Sequence, residues 1–357
     1  MKRRIGILTS GGDCPGLNAA IRGVALAAHN MFDAEFVGIA DGFQGLIDGE
    51  YKEMKTSDFH GLLTLGGTIL GTRRTPYRNM RKIEEDNVDK VAAMKKNYKK
   101  MGLDCLVTLG GNGTHKTANL LAEEGLNVIG LPKTIDNDIW GTDVTFGFHT
   151  AVDLATEVID RIHTTANSHG RVMVIEIMGN KAGWLTLYSG VSGGADVVLL
   201  PEMPYDPGKV IEAVEKRTNK DRRFTIIALA EGAFTKEAAK MKRKERALAI
   251  KEAGFSSNSF MLADTIQKAT GLETRVVVPG HYLRGGSPSP YDRLLATQFG
   301  VYGAQLIKDE HYGQTVAMID GKIGHNALSD VAGITKFVPK DDQVVRAAKD
   351  MGICFAD

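Results

Sequence analysis

Short apolar runs alternate along this chain with longer stretches whose hydrophobic positions recur at helical spacing. Ile5-Gly6-Ile7-Leu8 has the length and composition of a buried strand, residues 17–28 follow a helical period, and Glu35-Phe36-Val37-Gly38-Ile39 predicts the next strand. That succession is a βαβ unit. Residues 88–101, rich in Lys and Met, predict a helix before the strand Cys105-Leu106-Val107-Thr108-Leu109, and residues 116–124 a helix before Val128-Ile129-Gly130-Leu131. Parallel strands joined by crossover helices predict a doubly wound sheet. A second cycle opens with a helix over 147–164, then strand Val172-Met173-Val174-Ile175-Glu176-Ile177, a helix over 182–192 and strand Ala195-Asp196-Val197-Val198-Leu199-Leu200. Strand Thr225-Ile226-Ile227-Ala228-Leu229-Ala230 ends at Glu231, and Thr274-Arg275-Val276-Val277-Val278 ends near His281. The second half thus resembles the first, and polar groups recur just past apolar strands, where two sheets can face each other across a cleft. Residues 236–251, dense in charge and alanine, read as a solvated helix. No low-complexity linker or short-period repeat interrupts the pattern.

A length of 357 residues exceeds the commonest size of a single domain and suggests two domains or one large one. The 44 basic and 43 acidic residues leave a net charge of +1, so no whole-molecule field favours nucleic acid or a membrane surface, and anion binding must be local. Cys14, Cys105 and Cys354 are odd in number, far apart and without CxxC pairing, which argues against a disulfide framework or a zinc knuckle and fits a reducing cytoplasm. Met1-Lys2-Arg3-Arg4 runs into an apolar stretch too short for a signal peptide or a membrane span, so a soluble, unprocessed, cytoplasmic chain is expected.

The densest chemistry lies in Pro132-Lys133-Thr134-Ile135-Asp136-Asn137-Asp138, directly after an apolar strand and so at the edge where open α/β sheets bind ligands. On an extended segment two aspartates at i, i+2 point the same way, so that one can take a proton while the other handles a metal or orients its neighbour. Asp-Asn-Asp is equally ordinary turn chemistry. Two glycine loops, Thr9-Ser10-Gly11-Gly12-Asp13-Cys14-Pro15-Gly16 and Gly110-Gly111-Asn112-Gly113-Thr114-His115, each follow a strand and open a helix, where bare backbone and a helix N-terminus suit phosphate. Neither is a GxGxxG or a GxxxxGK[ST] loop. Between them Arg73 and Arg74 follow a glycine turn, and guanidinium forks match phosphate oxygens. Arg171, Arg275, His281 and Arg284 add cations near strand ends and Glu231 an acceptor, a set suited to a sugar phosphate. The absence of HExxH, GxSxG or a cysteine with local His disfavours hydrolase chemistry.

Taken together the chain resembles the 6-phosphofructokinase family over nearly its whole length. The motifs stand, in family order, at Leu8 to Gly16, Gly110 to Thr114, Pro132 to Asp138, Met178-Gly179, and Pro279-Gly280-His281 with Arg284-Gly285-Gly286-Ser287-Pro288. The resemblance implies two doubly wound α/β domains with mainly parallel sheets, a larger phosphoryl-donor domain over 1–146 plus 284–340 and a smaller sugar-phosphate domain over 147–283 plus 341–357, with the active site in the cleft between them. It implies transfer of a phosphoryl group from ATP, with Mg2+, to the 1-hydroxyl of fructose 6-phosphate in glycolysis. Asp136 is then the base, Thr134 and Asp138 shape the reacting centre, and Arg74 bridges donor and sugar phosphate. Gly11, Arg73, Gly111, Asn112, Gly113 and Thr114 lie on the donor side. Arg171, Met178, Gly179, Asn180, Glu231, Arg275, His281 and Arg284 match sugar-phosphate contacts, Arg171 and Arg275 in a neighbouring subunit's site, which implies a homodimer or homotetramer.

Departures from the family pattern bear on metal and donor. Asn112 stands where an aspartate usually helps hold magnesium; an amide keeps the oxygen and loses the charge. It is also the one residue favouring a non-catalytic sugar-phosphate sensor. Asn180 and Lys181 stand where many members have an arginine after Met-Gly. Pyrophosphate-using members typically carry aspartate at Gly113 and lysine at Lys133, filling the room of a nucleotide's α-phosphate; here one position is open and one filled. ATP is the expected donor, pyrophosphate the alternative. Lys220, Arg222 and Arg223 can form an anionic effector site, but Leu26 replaces a basic residue common in members under effector control, so such control is expected to be weak or absent.

Overall fold

The structure, a computed structural model, describes residues 2–83, 87–218 and 224–357, so that Lys220, Arg222 and Arg223 lie outside the described residues. It divides into two compact units, the first reaching to Thr150 and resuming over Arg284–Lys336, the second comprising Ala151–Leu283 and Phe337–Asp357.

The strands are β1 Arg4–Thr9, β2 Glu35–Ile39, β3 Tyr51–Met54, β4 Cys105–Gly110, β5 Val128–Pro132, β6 Val172–Ile177, β7 Val197–Leu199, β8 Thr225–Ala230, β9 Thr274–Val277, β10 Gln314–Ile319 and β11 Lys322–Ala327. The helices of the first half are α1 Leu17–Phe32, α2 Phe43–Asp48, α3 Lys90–Lys100, α4 Asn112–Glu123, α5 Phe148–His169 and α6 Trp184–Ser192. Those of the second are α7 Pro207–Thr218, α8 Arg243–Glu252, α9 Asn258–Thr270, α10 Pro290–Lys308, α11 Leu328–Val331 and α12 Gln343–Asp350. None of the described helices is long and apolar enough to cross a membrane.

The first unit holds a seven-stranded sheet in the order β11-β10-β5-β4-β1-β2-β3. Its central pairs are parallel, and only the β2–β3 and β10–β11 pairs at its two edges are antiparallel. Every residue of β4 and β5 is buried, the signature of parallel strands covered on both faces, and this is why they read as uninterrupted apolar runs. The second unit has a wholly parallel four-stranded sheet, β7-β8-β6-β9. Both are doubly wound α/β arrangements.

Three local expectations change. The second glycine loop is shorter than the sequence implies, because α4 begins at Asn112 and takes Asn112, Gly113 and Thr114 into its first turn. The long helix expected over 147–164 continues to His169. The segment around Asp136 is not extended: Asn137 has φ 50°, so strand alternation does not govern where Asp136 and Asp138 point. Asparagine tolerates that left-handed geometry, so the two aspartates sit on a bend and not on a strand.

Two glycines set how close α1 lies to α10. A Cβ on Gly300 would stand 2.5 Å from the Ala20 carbonyl oxygen and 2.7 Å from Val24 N, and one on Gly23 2.7 Å from Thr297 O. The backbones therefore touch. At the start of α10, the fully buried Asp292 carboxylate accepts from Gly147 N at 2.9 Å and from Thr150 N at 2.7 Å, fixing the chain that leaves the polar segment. Since α1 begins at the end of the first glycine loop, this contact seats that loop. Gly300→Ala should force the helices apart and lower stability by about 2 kcal/mol in urea unfolding; an unchanged midpoint would show that the contact has slack.

Candidate active site

In the first sheet β1 leads to β2 on one side, while the chain returns to β4 on the other, so the order reverses between β1 and β4. Ligands of open α/β sheets bind at such a reversal, outside the carboxyl ends of the strands. Both glycine loops sit there. Backbone bonds stitch the ends together: Ser10 N donates to Leu109 O at 3.0 Å and Lys133 N to Gly110 O at 3.0 Å. Gly11 has φ 86°, a conformation that needs glycine, and its N–H donates to Arg73 O at 3.3 Å, while Thr72 Oγ1 donates to Gly11 O at 2.7 Å. The arginine turn is thus tied to the first loop. The Arg73 and Arg74 side chains are exposed and make no hydrogen bond or ion pair with any described residue, leaving both guanidinium forks for a ligand.

Gly111, the residue before α4, offers no side-chain cap, so the helix's first N–H groups face outward. A Cβ on Gly113 would meet nothing within 4 Å. Lys133 is the opposite case. It is 3% exposed, and its ammonium donates to the carbonyl of Gly12, joining the end of β5 to the first glycine loop. Burial pushes its pKa down, partly offset by Cys14. Arg284 sits on the same loop: its Nη1 donates to Asp13 O at 3.1 Å, and its buried Nε has no hydrogen-bond partner among the described residues.

Thr134 Oγ1 accepts from Asp136 N at 3.1 Å, and Asn137 Oδ1 accepts from Thr145 N at 3.1 Å, so threonine and asparagine hold the turn on which the two aspartates sit. Both carboxylates are largely buried. Burial raises the pKa of Asp138, against which the Asn112 amide works by donating to Asp138 O at 3.0 Å and Oδ2 at 3.4 Å. The Asn112 side-chain oxygen is buried and has no hydrogen-bond partner among the described residues. That orphaned oxygen fits a cation ligand, though no group of three or more His, Cys, Asp or Glu forms a metal centre among the described residues. His115 is structural. Its ring nitrogens pair with Gly111 O at 3.1 Å and Thr315 Oγ1 at 2.8 Å, and burial drives its pKa down to about 4.

In the second unit the expected residues divide between opposite edges of one sheet. Met178, Gly179 and Asn180 follow β6, Glu231 follows β8, and His281 lies beyond β9, all at carboxyl ends. Asn180 adopts φ 54° and its N–H donates to Glu231 Oε1 at 2.6 Å. Arg171 precedes β6 and Arg275 lies in the first half of β9, at the amino ends. Glu273 pairs with both, at 2.6 Å to Arg171 Nε and 2.5 Å to Arg275 Nη2, and its pKa is lowered chiefly by Arg171. Sequence reading missed Glu273, because only the alignment of β6 with β9 brings it to Arg171.

Comparison with known proteins gives a consistent picture. A family profile described as Phosphofructokinase matches residues 4–307. The ATP-dependent 6-phosphofructokinase of Spirochaeta thermophila is 53% identical over 99% of this chain and 98% of its own length. Among solved structures, phosphofructokinase from Saccharomyces cerevisiae superimposes with a TM-score of 0.79 at 29% identity, covering 92% of this chain and 45% of that one, so this chain spans less than half of it. A pyrophosphate-dependent phosphofructokinase from Nitrosospira multiformis matches with a TM-score of 0.81 over 99% of this chain and 93% of its own, but at 19% identity the likeness speaks for the fold alone.

The Asn112–Asp138 contact has a pH-dependent consequence. Asn112→Asp removes two amide donors and sets a second carboxylate beside Asp138, raising a carboxyl pKa that burial has already raised. A carboxyl whose folded pKa lies above its unfolded value costs stability above that folded pKa, and the cost disappears as pH falls through it. The variant should lose about 2 kcal/mol in urea unfolding at pH 8 and less at pH 5. A penalty that grows toward pH 5 would contradict this account of the contact.

Proposed function

The chain belongs to the phosphofructokinase family, and from that premise we propose that it transfers the γ-phosphoryl group of ATP to the 1-hydroxyl of fructose 6-phosphate. The products are fructose 1,6-bisphosphate and ADP. The bond from the γ-phosphorus to the β–γ bridging oxygen breaks, a bond to the sugar O1 forms, and Asp136 accepts the hydroxyl proton. The observation that carries the reading is the Thr134 to Asp138 turn, held at the carboxyl end of β5 and stitched to both glycine loops at the sheet's reversal.

A positioned base supplies roughly 10²- to 10⁴-fold, so most of the acceleration must be electrostatic. Arg73, Arg74 and the N–H groups opening α4 are the positive groups assigned to the donor phosphates, with Arg74 bridging to the sugar phosphate. Mg2+ would be held by the Asn112 oxygen and the nucleotide's own phosphates, which must then provide the charge that an amide lacks. When bound it neutralises developing charge on the transferred group. Met178, Gly179, Asn180, Glu231, His281 and Arg284 are assigned to the sugar phosphate.

ATP is favoured as donor because Gly113 leaves open space where a carboxylate would repel and block an α-phosphate. Lys133, which is filled and buried, is the observation on the side of pyrophosphate. A homo-oligomer is supported by the position of Arg171 and Arg275. They lie at the amino edge of a sheet whose carboxyl edge carries Glu231, roughly 20 Å away along β6 at 3.3 Å per residue, and so suit a second copy's site. Glycolysis in the cytoplasm is the setting that fits this chemistry.

Asp136→Asn should lower turnover by at least about 10²-fold while leaving affinity for fructose 6-phosphate in place; turnover near wild type would remove Asp136 as the base. Gly113→Asp should suppress use of ATP, and undiminished ATP turnover would undo the steric and electrostatic argument for the donor.

A further inference from the structure

Helix α8 is ten residues long and buries none of them, which leaves open what holds it to the second unit. Its attachments are two arginines one turn apart. Arg243 Nη1 donates to Asn180 Oδ1 at 2.9 Å, and the Arg246 guanidinium lies 3.7 Å from the centre of the Phe234 ring. Positions 243, 246, 247 and 250 share one helical face. That face walls a cavity of about 650 Å3 that Asn180 and Glu231 also line. The helix read from its composition as solvated surface therefore roofs the sugar end of the site.

The contact reaches further than Asn180. The Asn180 N–H donates to Glu231 Oε1 at 2.6 Å, and a Cβ on Gly232 would stand only 2.1 Å from Asn180 O, so the two loops touch without slack. Asn180 also holds the left-handed φ of 54°, which asparagine tolerates, and its side-chain bond to Arg243 helps to fix it. Arg243 thus orients Glu231 through Asn180. An element that buries nothing opens at little cost and closes on a few polar contacts. We infer that α8 is a latch over the sugar end of the active site, with Arg243 as the positioning residue whose hold on Asn180 and Glu231 sets affinity for fructose 6-phosphate. The inference rests on the substrate reading given above.

The test uses the purified full chain with Arg243→Ala, Arg243→Lys and, as a control on the same helix, Lys244→Ala. Calorimetric titration with fructose 6-phosphate is paired with steady-state kinetics in ATP. Arg243→Ala should weaken binding and raise KM for fructose 6-phosphate about tenfold, with kcat within about twofold and KM for ATP unchanged. Its thermal midpoint should match wild type. Arg243→Lys should recover part of the affinity and Lys244→Ala all of it. Wild-type affinity in Arg243→Ala overturns the latch, as do an equal loss in Lys244→Ala, a changed KM for ATP, or a fall in kcat at unchanged affinity. Wild-type protein that binds fructose 6-phosphate without turnover overturns the catalytic reading alone, since the calorimetric comparison still decides the latch. Wild-type protein that does not bind it overturns both.

Discussion

A buried ammonium group needs an oxygen, and the arrangement of the first unit follows from how Lys133 finds one. Moving a charge of that size out of water costs several kcal/mol unless it is hydrogen-bonded. The Gly12 carbonyl meets the need, which pins the first glycine loop to the strand end that carries the two aspartates. Arg284 reaches the next carbonyl of the same loop. The Thr72 hydroxyl bonds Gly11, so the arginine turn follows. The first glycine loop, the guanidinium pair and the turn that carries Asp136 are therefore positioned by one connected set of bonds. The buried lysine is thus the residue that holds the first glycine loop in place.

The second unit solves a different problem, which is to present cations at one edge of a sheet and a hydrogen-bonding acceptor at the other. Arg171 and Arg275 are kept apart from the Asn180–Glu231 cluster by the length of β6, and the single Glu273 carboxylate pairs with both, offsetting one of their two charges. An anion approaching these arginines has to compete with Glu273. At the carboxyl edge Asn180 and Glu231 are fixed by backbone contact, and α8 closes over them by side chains alone.

Much of this was readable in the residues, and the failures have physical causes. The central strands of both sheets announced themselves because burial on both faces demands unbroken apolar runs. The antiparallel edges did not: β11 is half-exposed and polar, and β3 is exposed over most of its length. The start of α4 was misplaced because Gly111, Asn112 and Gly113 have poor helix propensity, and tertiary contacts override it. Asp136 and Asp138 were found by type and spacing, but the left-handed Asn137 between them defeats any argument from strand alternation. Glu273 was invisible because strand register, not sequence spacing, brings it to Arg171. The face of α8 that lines the cavity carries Arg243, Arg246, Ala247 and Ile250 rather than a continuous apolar stripe, so composition described its exposure and hid its contacts.

Donor choice is where the account is most exposed, because Lys133 and Gly113 point in opposite directions. The claim is that the open space at Gly113 decides, and that the ammonium of Lys133, engaged with Gly12, leaves room for a nucleotide. Steady-state turnover of the wild-type chain with fructose 6-phosphate and magnesium, ATP and pyrophosphate compared side by side, tests this most directly. The account predicts kcat/KM at least about tenfold higher with ATP, a difference of ~1.4 kcal/mol in transition-state binding. Pyrophosphate turnover equal to or above that with ATP would contradict it and make Lys133 the residue that selects the donor.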